Sequence, residues 1–555
     1  MKKKQTENYE SPRKFKLYYL LIILFCLIIA VISYFTYIIL QKDKIIKIIP
    51  ENVVMYGRID YQQLNKEYDK GAVGSFIANF SAKEDFKKMA ASYINQELTN
   101  QYGLNFIDDI SPIISQEIAF SSFLTSEENI EKLSHILIIE TKDINQADKV
   151  IKQSLGLKSV KSEYFAETAI NYAMFEEEKL NFYYTFIDNF LVLGKNQESL
   201  EKIIDVAKQK KASLAHNQNF IKTVFYHIRL KNNYLYFNLE DISLAKIPEL
   251  QILGYKNKDL APFYLFLKKL GHTSFYLEAR NNNLNLHGFS LAKEKNSNSV
   301  KISNLVPINT LGVFSSYNLD SEINNYLNIL EEEDKNRFTQ YKNLEQKIVT
   351  EYNINLEEDI YSLLEKGSEI IIYPQNDNYD LAFAINSGSQ EKEKLSAEKL
   401  ERAISHHFGL LNPQEKKFNL ADGSEATEYY SSEDEFSFTD INIKNYKAKT
   451  IENSKARSYS YALLDQKLIF STSRDLLEKI ITAKQDKNGL IYSAEFEDLK
   501  SYNKGDNSLI YMDISKVFDK MGISEKNGLY KLKKLIIKSS NNYFGTGIKG
   551  YLLVK

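Results

Sequence analysis

The sequence predicts an α+β protein: an N-terminal transmembrane helix followed by two tandem homologous modules of antiparallel sheet with helices packed on one side. Three observations carry this. The first is internal repetition in constant order. Ile49-Pro50-Glu51-Asn52 returns as Val306-Pro307-Ile308-Asn309, and Leu104–Ile110 (LNFIDDI) as Ile354–Ile360 (INLEEDI). Leu200-Glu201-Lys202-Ile203-Ile204 returns as Leu477-Glu478-Lys479-Ile480-Ile481, and Tyr236–Leu239 as Tyr511–Ile514, each at a similar spacing along the chain. The second is a succession of short strands without the regular helix spacing of a doubly wound sheet. The third is Leu17–Leu40, an unbroken run without a charge.

That uncharged run would span about 36 Å as a helix at ~1.5 Å per residue, enough to cross a bilayer with some tilt. Tyr18, Tyr19, Tyr34 and Tyr37 lie toward its ends, where amphipathic rings favour the interface. A cleaved signal peptide would have a shorter apolar region and a small-x-small site, whereas the exit reads Ile38-Ile39-Leu40-Gln41-Lys42. Phe25 before Cys26 excludes a lipoprotein cleavage site. Residues 1–16 carry six bases against Glu7 and Glu10, which places the N-terminus in the cytoplasm and the bulk outside. The expected partition is a basic tail at 1–16, the membrane span at 17–40, a first module at 44–293, a linker at 294–304 and a second module at 305–555.

Composition bounds the function classes. The chain is 43% hydrophobic and 26% charged, with 38 Tyr, 32 Phe and no Trp. Net charge is −2, and removing the +4 of the tail leaves the rest acidic, so nucleic acid is not an expected partner. Cys26, the only cysteine, lies in the apolar run. The exported part therefore has no disulfide and no thiol nucleophile, and its stability rests on packing.

Along the first module, Val53–Asp60 reads as a strand and Gly74–Gly103 as helical. Glu117–Leu124 and His135–Thr141 are strand-like, and Asp143 caps a helix with Gln146 three residues on and Gly156 as its stop. Ala169–Phe175, Asn181–Ile187 and Phe190–Leu193 suggest an antiparallel meander. Helices follow at Gln197–Gln209 and Asn219–Arg229, then a strand at Tyr234–Leu239 and a hairpin of Phe275–Arg280 with Leu284–Leu291. The second module repeats the order: strands at Leu311–Ser315, Glu369–Tyr373, Asp380–Ala384, Ser458–Leu464, Lys467–Ser471 and Leu509–Ile514, with a closing segment at Phe544–Val554. Its helices fall within Glu322–Tyr352 and at Lys394–Phe408 and Asp475–Ala483. One loop is longer in this copy and contains Glu433-Asp434-Glu435.

This layout resembles the domain of unknown function 3352 family. The matching residues are Ile49-Pro50, Arg58-Ile59-Asp60 at a strand end, and Asp108-Asp109-Ile110 before Glu117-Ile118. Asp188–Gly194 (DNFLVLG) leading into Ser199-Leu200, and Ser213-Leu214 before Phe220, also agree. The second copy departs at Gly194, which becomes Ser471, and at Asp60. The resemblance implies an exported, membrane-anchored bacterial protein with no assigned activity.

No motif points to catalysis, and no catalytic, cofactor-binding or metal-binding residue is assigned. Gly545-Thr546-Gly547-Ile548-Lys549-Gly550 matches the dinucleotide pattern, but only Tyr551–Lys555 remains after it and no helix, so it reads as a turn. Ser243–Lys246 and Ser290–Lys293 fit SxxK without the partner motifs SDN and KTG. His135, His216, His227, His272, His287, His406 and His407 are scattered, without ligand spacing. Glu331-Glu332-Glu333-Asp334 reads as a solvated helix start, and neither it nor Glu433-Asp434-Glu435 has the ligand spacing of a calcium loop. Strand aromatics such as Phe182, Tyr183, Tyr184, Phe186, Tyr234, Tyr236 and Phe237 fit either a helix-covered core or an apolar groove. The expected function is a non-enzymatic, membrane-anchored extracytoplasmic module binding an envelope protein or wall component, with no cofactor; the alternative is a carrier of an apolar ligand or lipid.

Overall fold

The computed structural model describes residues 43–554, apart from 63–101, 128–129, 155–159, 175–180, 229–232, 239, 241–267, 269, 281–282, 293–298, 376–377, 387, 412–413, 422, 431–435, 454–456, 504–506, 521–531 and 543–544. In the first half, β1 (Val53–Asp60), β2 (Ile114–Glu127) and β3 (Ile130–Thr141) lead to α1 (Ile144–Ser154). The meander β4 (Lys161–Phe165), β5 (Thr168–Met174), β6 (Asn181–Ile187) and β7 (Phe190–Gly194) comes next. After it stand α2 (Gln197–Ala207), α3 (Gln218–Ile228), β8 (Tyr234–Asn238), β9 (His272–Arg280) and β10 (Asn283–Ser290). Asp143 caps α1 as the sequence predicts, its Oδ1 accepting from the amides of Asn145 and Gln146.

The second half opens with β11 (Gly312–Ser316), α4 (Leu319–Glu333) and α5 (Lys335–Tyr352), then β12 (Ser368–Gln375), β13 (Asn378–Ile385) and α6 (Gln390–Leu411). A separate hairpin of β14 (Gln414–Asn419) and β15 (Glu425–Tyr430) stands in the lengthened loop. The half closes with β16 (Thr439–Ile443), β17 (Tyr446–Asn453), β18 (Arg457–Leu464), β19 (Lys467–Ser471), α7 (Arg474–Gln485), β20 (Ser508–Asp513), α8 (Ile514–Lys520), β21 (Leu532–Asn542) and β22 (Gly545–Val554).

The two runs of strands pair in the same order. From its outer edge the first half reads β4-β5-β6-β7-β3-β2-β1-β8-β9-β10, and the second reads β16-β17-β18-β19-β13-β12-β11-β20-β21-β22. Register agrees as well. With Gly194 set against Ser471, their ladder partners Ile136 and Ala382 coincide. One strand on, Ser121 falls against Ile371, then Tyr56 against Val313, then Tyr236 against Tyr511. These pairs are spaced as the matched sequence blocks are. Gly194 to Ser471 equals Leu200 to Leu477, Ser121 to Ile371 equals Leu104 to Ile354, and Tyr56 to Val313 equals Ile49 to Val306. Local structure follows suit: Asn105 N–H donates to Asp109 Oδ2 and Asn355 N–H to Asp359 Oδ2, at 2.7 and 2.9 Å.

The halves meet in one sheet of 20 strands, joined where β10 pairs antiparallel with β22. Carrying the register on through β9 and β21 sets Phe289 against Tyr551, and hence His287 against Lys549. His287 and Lys549 are also direct partners across the seam, so a local two-fold passes between them. Gly545 lets the backbones close here: a Cβ on it would collide with the Ser290 carbonyl oxygen. The reading of Gly545–Gly550 as a turn is thereby corrected, since these residues form the first part of β22.

Helices cover both faces of the sheet, not one. Ala147 and Ile151 of α1 pack with Ile139, Leu191 and Leu193, whereas Leu200, Ile203 and Ile204 of α2 pack with Ile138 and Val192. Successive strand residues point to opposite faces, so these are two separate layers. The cause is the apolar run of β7, buried at all five positions and demanding cover on both sides. The halves also share an apolar cluster in which Val54, Leu124, Leu133 and Phe237 meet Tyr326, Leu327, Ile329, Leu330 and Phe338 of α4 and α5. Val300 and Ile302, in the segment expected to be a linker, are buried in the second half's core.

Leu17–Leu40 and most of the helical region expected at Gly74–Gly103 lie outside the described residues. Among the described residues no helix is long and apolar enough to cross a membrane.

Candidate functional site

The most concentrated chemistry in the described chain is a buried charged cluster where the polypeptide enters β1. Asp43 stands shortly beyond Leu40. Its Oδ1 accepts from the amides of Ile45 and Ile46 at 2.9 and 3.2 Å, capping the short 3-10 turn Ile45–Lys47. Its Oδ2 accepts from Tyr56 Oη at 2.6 Å and Tyr234 Oη at 3.0 Å. Arg58, two residues along β1 from Tyr56, brings Nε to 3.7 Å from Asp43 Oδ1, while its Nη2 donates to Glu117 Oε1 on β2. Arg58 and Glu117 side chains are 1% and 2% exposed, so the pair is out of water.

A buried ion pair is favourable only when its remaining polar atoms are satisfied. Here they are not fully satisfied: Glu117 Oε2 is buried without a hydrogen-bond partner among the described residues, and so is Glu140 Oε2 on β3. Glu140 Oε1 accepts from Asn189 at 3.0 Å and lies 3.6 Å from the rim cation Lys44. Burial pushes the Glu117 carboxyl up to about 7, with Asp43 and Glu140 adding to the rise and Arg58 opposing it. Burial and Asp43 hold the Tyr56 and Tyr234 hydroxyls well above their usual range, so both stay protonated donors. For Arg58, burial disfavours the charge, but Asp43 and Glu117 outweigh it and keep the guanidinium ionised.

Aromatic rings continue from this cluster to a pocket on the surface. Tyr56 and Tyr234 both contact Phe220, which meets Tyr236 edge-on at 5.0 Å, and Tyr236 stacks on His272 at 6.2 Å. Both His272 ring nitrogens are engaged, Nδ1 with Tyr236 Oη at 2.7 Å and Nε2 with Asn219 Nδ2 at 2.8 Å. Asn219 and His272 line an open cavity of about 380 Å³ with Pro50, Glu51, Lys211, Asn217 and Asn238. A second open cavity of about 360 Å³ lies beside the corresponding Pro307 loop, lined by Tyr373, Asp475, Glu478, Lys479 and Thr482. Both linings mix charged and hydrogen-bonding groups with apolar ones, among them Pro50 and Ala212 in the first and Pro307 and Ile308 in the second.

The features singled out from the sequence do not converge. Ser290 of one SxxK match is buried in β10 and donates to the Leu270 carbonyl, while Ser243, Lys246 and Lys293 lie outside the described residues. His216 meets Ser213, His135 meets Ser122, His287 stacks on Tyr276, and Tyr352 touches both His406 and His407. The side chain of His227 lies outside the described residues. Among the described residues no group of three His, Cys, Asp or Glu side chains is placed to hold a metal ion. Glu331-Glu332-Glu333 is corrected from a helix start to the end of α4, with Asp334 capping α5 through the Arg337 amide. Glu433-Asp434-Glu435 lies outside the described residues. The strand aromatics are mostly core: Phe182 and Tyr184 are buried against α1, and Tyr234 and Tyr236 against α3.

Sequence reasoning missed the Asp43–Arg58–Glu117 cluster. The available signal was Arg58 itself, a charge inside the apolar strand Val53–Asp60.

The chain belongs to the family described as a protein of unknown function, DUF3352, whose sequence profile matches residues 22–523. No curated protein and no solved structure matches it.

Proposed function

We propose that this member of the DUF3352 family is a non-enzymatic module, anchored through the bilayer by Leu17–Leu40 and exposed outside the cytoplasm, which binds an envelope protein or wall component. Its two halves arose by tandem duplication and act as one platform. The observation that carries the reading is the position of the Asp43 cluster. It grips the chain just after the apolar run, and it is confined to the half that follows that run. At the corresponding positions of the second half stand Val300 for Asp43, Val313 for Tyr56, Ser315 for Arg58 and Leu509 for Tyr234. The family match beginning at residue 22, inside the run, fits an anchor that belongs to the family's common unit. The common strand order and register support the duplication.

A carrier of lipid or another apolar ligand is the second reading, prompted by the strand aromatics. Their burial under α1 and α3, and the open form of both cavities, which do not enclose an acyl chain, favour a surface partner. Two sites on one tether would raise effective concentration without new contacts. Native mass spectrometry of the purified chain decides between the two. A bare protein mass, with crosslinks to envelope components in cells, is expected; one or two co-purified lipids per chain held outside the membrane span would overturn it.

A further inference from the structure

We propose that the Asp43–Arg58–Glu117 cluster is a proton-operated clamp on the segment leaving the membrane anchor, held tight when Glu117 carries a proton and loosened when it does not. The clamp concerns described residues alone; only its consequence, a bulk domain held rigidly or loosely at the membrane, rests on the anchor reading above.

Asp43 is the point of grip. Two backbone amides, two tyrosine hydroxyls and the Arg58 guanidinium converge on one carboxylate, and together they fix Ile45–Lys47 against β1 and β8. Arg58 is the shared element, because the same guanidinium serves Glu117. When Glu117 releases its proton to solvent, a second full carboxylate competes for that cation and repels Asp43. Glu140 adds a third, offset by Lys44 at the rim and by the Asn189 amide. When Glu117 is neutral, the cation is left to Asp43. The charges that face Glu117 among the described residues are those of Asp43, Arg58 and Glu140 and of Asp60, its direct partner across the β1–β2 ladder, with Lys44 beside Glu140 at the rim. Tyr56 and Tyr234 remain neutral donors throughout.

Two further observations agree. The buried oxygen Glu117 Oε2, without a hydrogen-bond partner among the described residues, is a place where a proton relieves an uncompensated charge. Burial places that event near neutrality, at about 7. The second half, entered from the first rather than from a membrane, has Val300, Val313 and Leu509 in place of Asp43, Tyr56 and Tyr234, and its buried carboxylate Glu369 accepts from Ser315, which stands in place of Arg58, as expected if the device serves the anchor.

The test is hydrogen exchange with mass spectrometry on the full chain in nanodiscs, following the peptide that contains Ile45 and Ile46 and correcting for the intrinsic pH dependence of exchange. Protection should fall about tenfold between pH 5.5 and 8.5, the effect of one pK unit of coupling. Glu117→Gln, which fixes the neutral form, should keep the low-pH protection at both values. Unchanged protection in the wild-type chain, or the same fall in Glu117→Gln, would overturn the proposal. If the variant does not fold, the wild-type profile alone decides, through the presence or absence of a midpoint between about 6 and 8. A clamp that titrates while surface labelling puts the bulk in the cytoplasm would refute the anchor reading and leave the clamp standing.

Discussion

Removing the cation from the buried cluster is the sharpest perturbation available. Arg58→Met keeps much of the volume and apolar stem but leaves Asp43 and Glu117 facing each other without their shared guanidinium. Arg58 and Glu117 side chains are 1% and 2% exposed, so water cannot replace it without opening β1 from β2. Breaking a buried pair in this way costs about 3–5 kcal/mol, whereas a neutral set of similar shape costs far less. The triple variant Arg58→Met, Asp43→Asn, Glu117→Gln should therefore recover most of the loss. At roughly 1 °C per kcal/mol for a chain of 555 residues unfolding as one unit, the single variant should melt about 3–4 °C lower. Circular dichroism on heating reads this directly, with tyrosine fluorescence as a second probe in a chain of 38 Tyr and no Trp. The single variant's loss should be smaller at pH 5.5 than at pH 8.5, since Glu117 can neutralise itself in acid. A single variant within about 1 kcal/mol of wild type, or a triple variant no better than the single, would show that no charge is strained there.

Other consequences follow from the same structure. Glu117 binds its proton more tightly folded, at about 7, than at its ordinary value of 4.5. Its contribution is thus complete below about 4.5 and lost as pH rises through about 7, by at most about 3 kcal/mol, and Glu117→Gln should flatten that slope in pH-dependent melts. At the seam, Gly545→Val places side-chain atoms against the Ser290 carbonyl and should cost about 1–3 kcal/mol; a melting temperature unchanged from wild type would mean that β10 and β22 are not joined there. Asn196 and Ser473 cap α2 and α7 at corresponding positions, so Asn196→Ala and Ser473→Ala should each cost about 1 kcal/mol and add in the double variant.

Much of the strand framework was legible because local pattern and tertiary demand coincide. Val53–Asp60 is apolar enough to read as a strand, and the Asp143 and Gln197 helix starts carry their own capping chemistry. Strands without an apolar face escaped notice. β4 (KSEYF) is exposed at four of its five positions, and the β14 sequence QEKKFN offers no alternation of apolar and polar residues. Both lie on sheet edges or in a separate hairpin, where solvent tolerates any side chain. The two-sided helix cover was misjudged because a short apolar run such as Phe190–Leu193 does not say whether one or both faces are covered. The seam was also hidden, since β10 closes one half and β22 the other, with all of the second half between them in sequence and nothing local to specify their pairing. The charged cluster failed for the same reason: Asp43, Arg58 and Glu117 are ordinary polar residues until β1 is set between β2 and β8.

The central claim, a single-pass anchor with both halves outside, is tested most directly by thiol labelling of intact cells. In a Cys26→Ser background, single cysteines would be placed at Tyr164 on β4 and Tyr492 in the second half, 78% and 48% exposed, and at Lys3 in the basic tail. A membrane-impermeant maleimide should label Tyr164→Cys and Tyr492→Cys on intact cells, and Lys3→Cys only after lysis. Labelling of Lys3→Cys on intact cells with the other two protected, or protection of all three until lysis, would contradict the account.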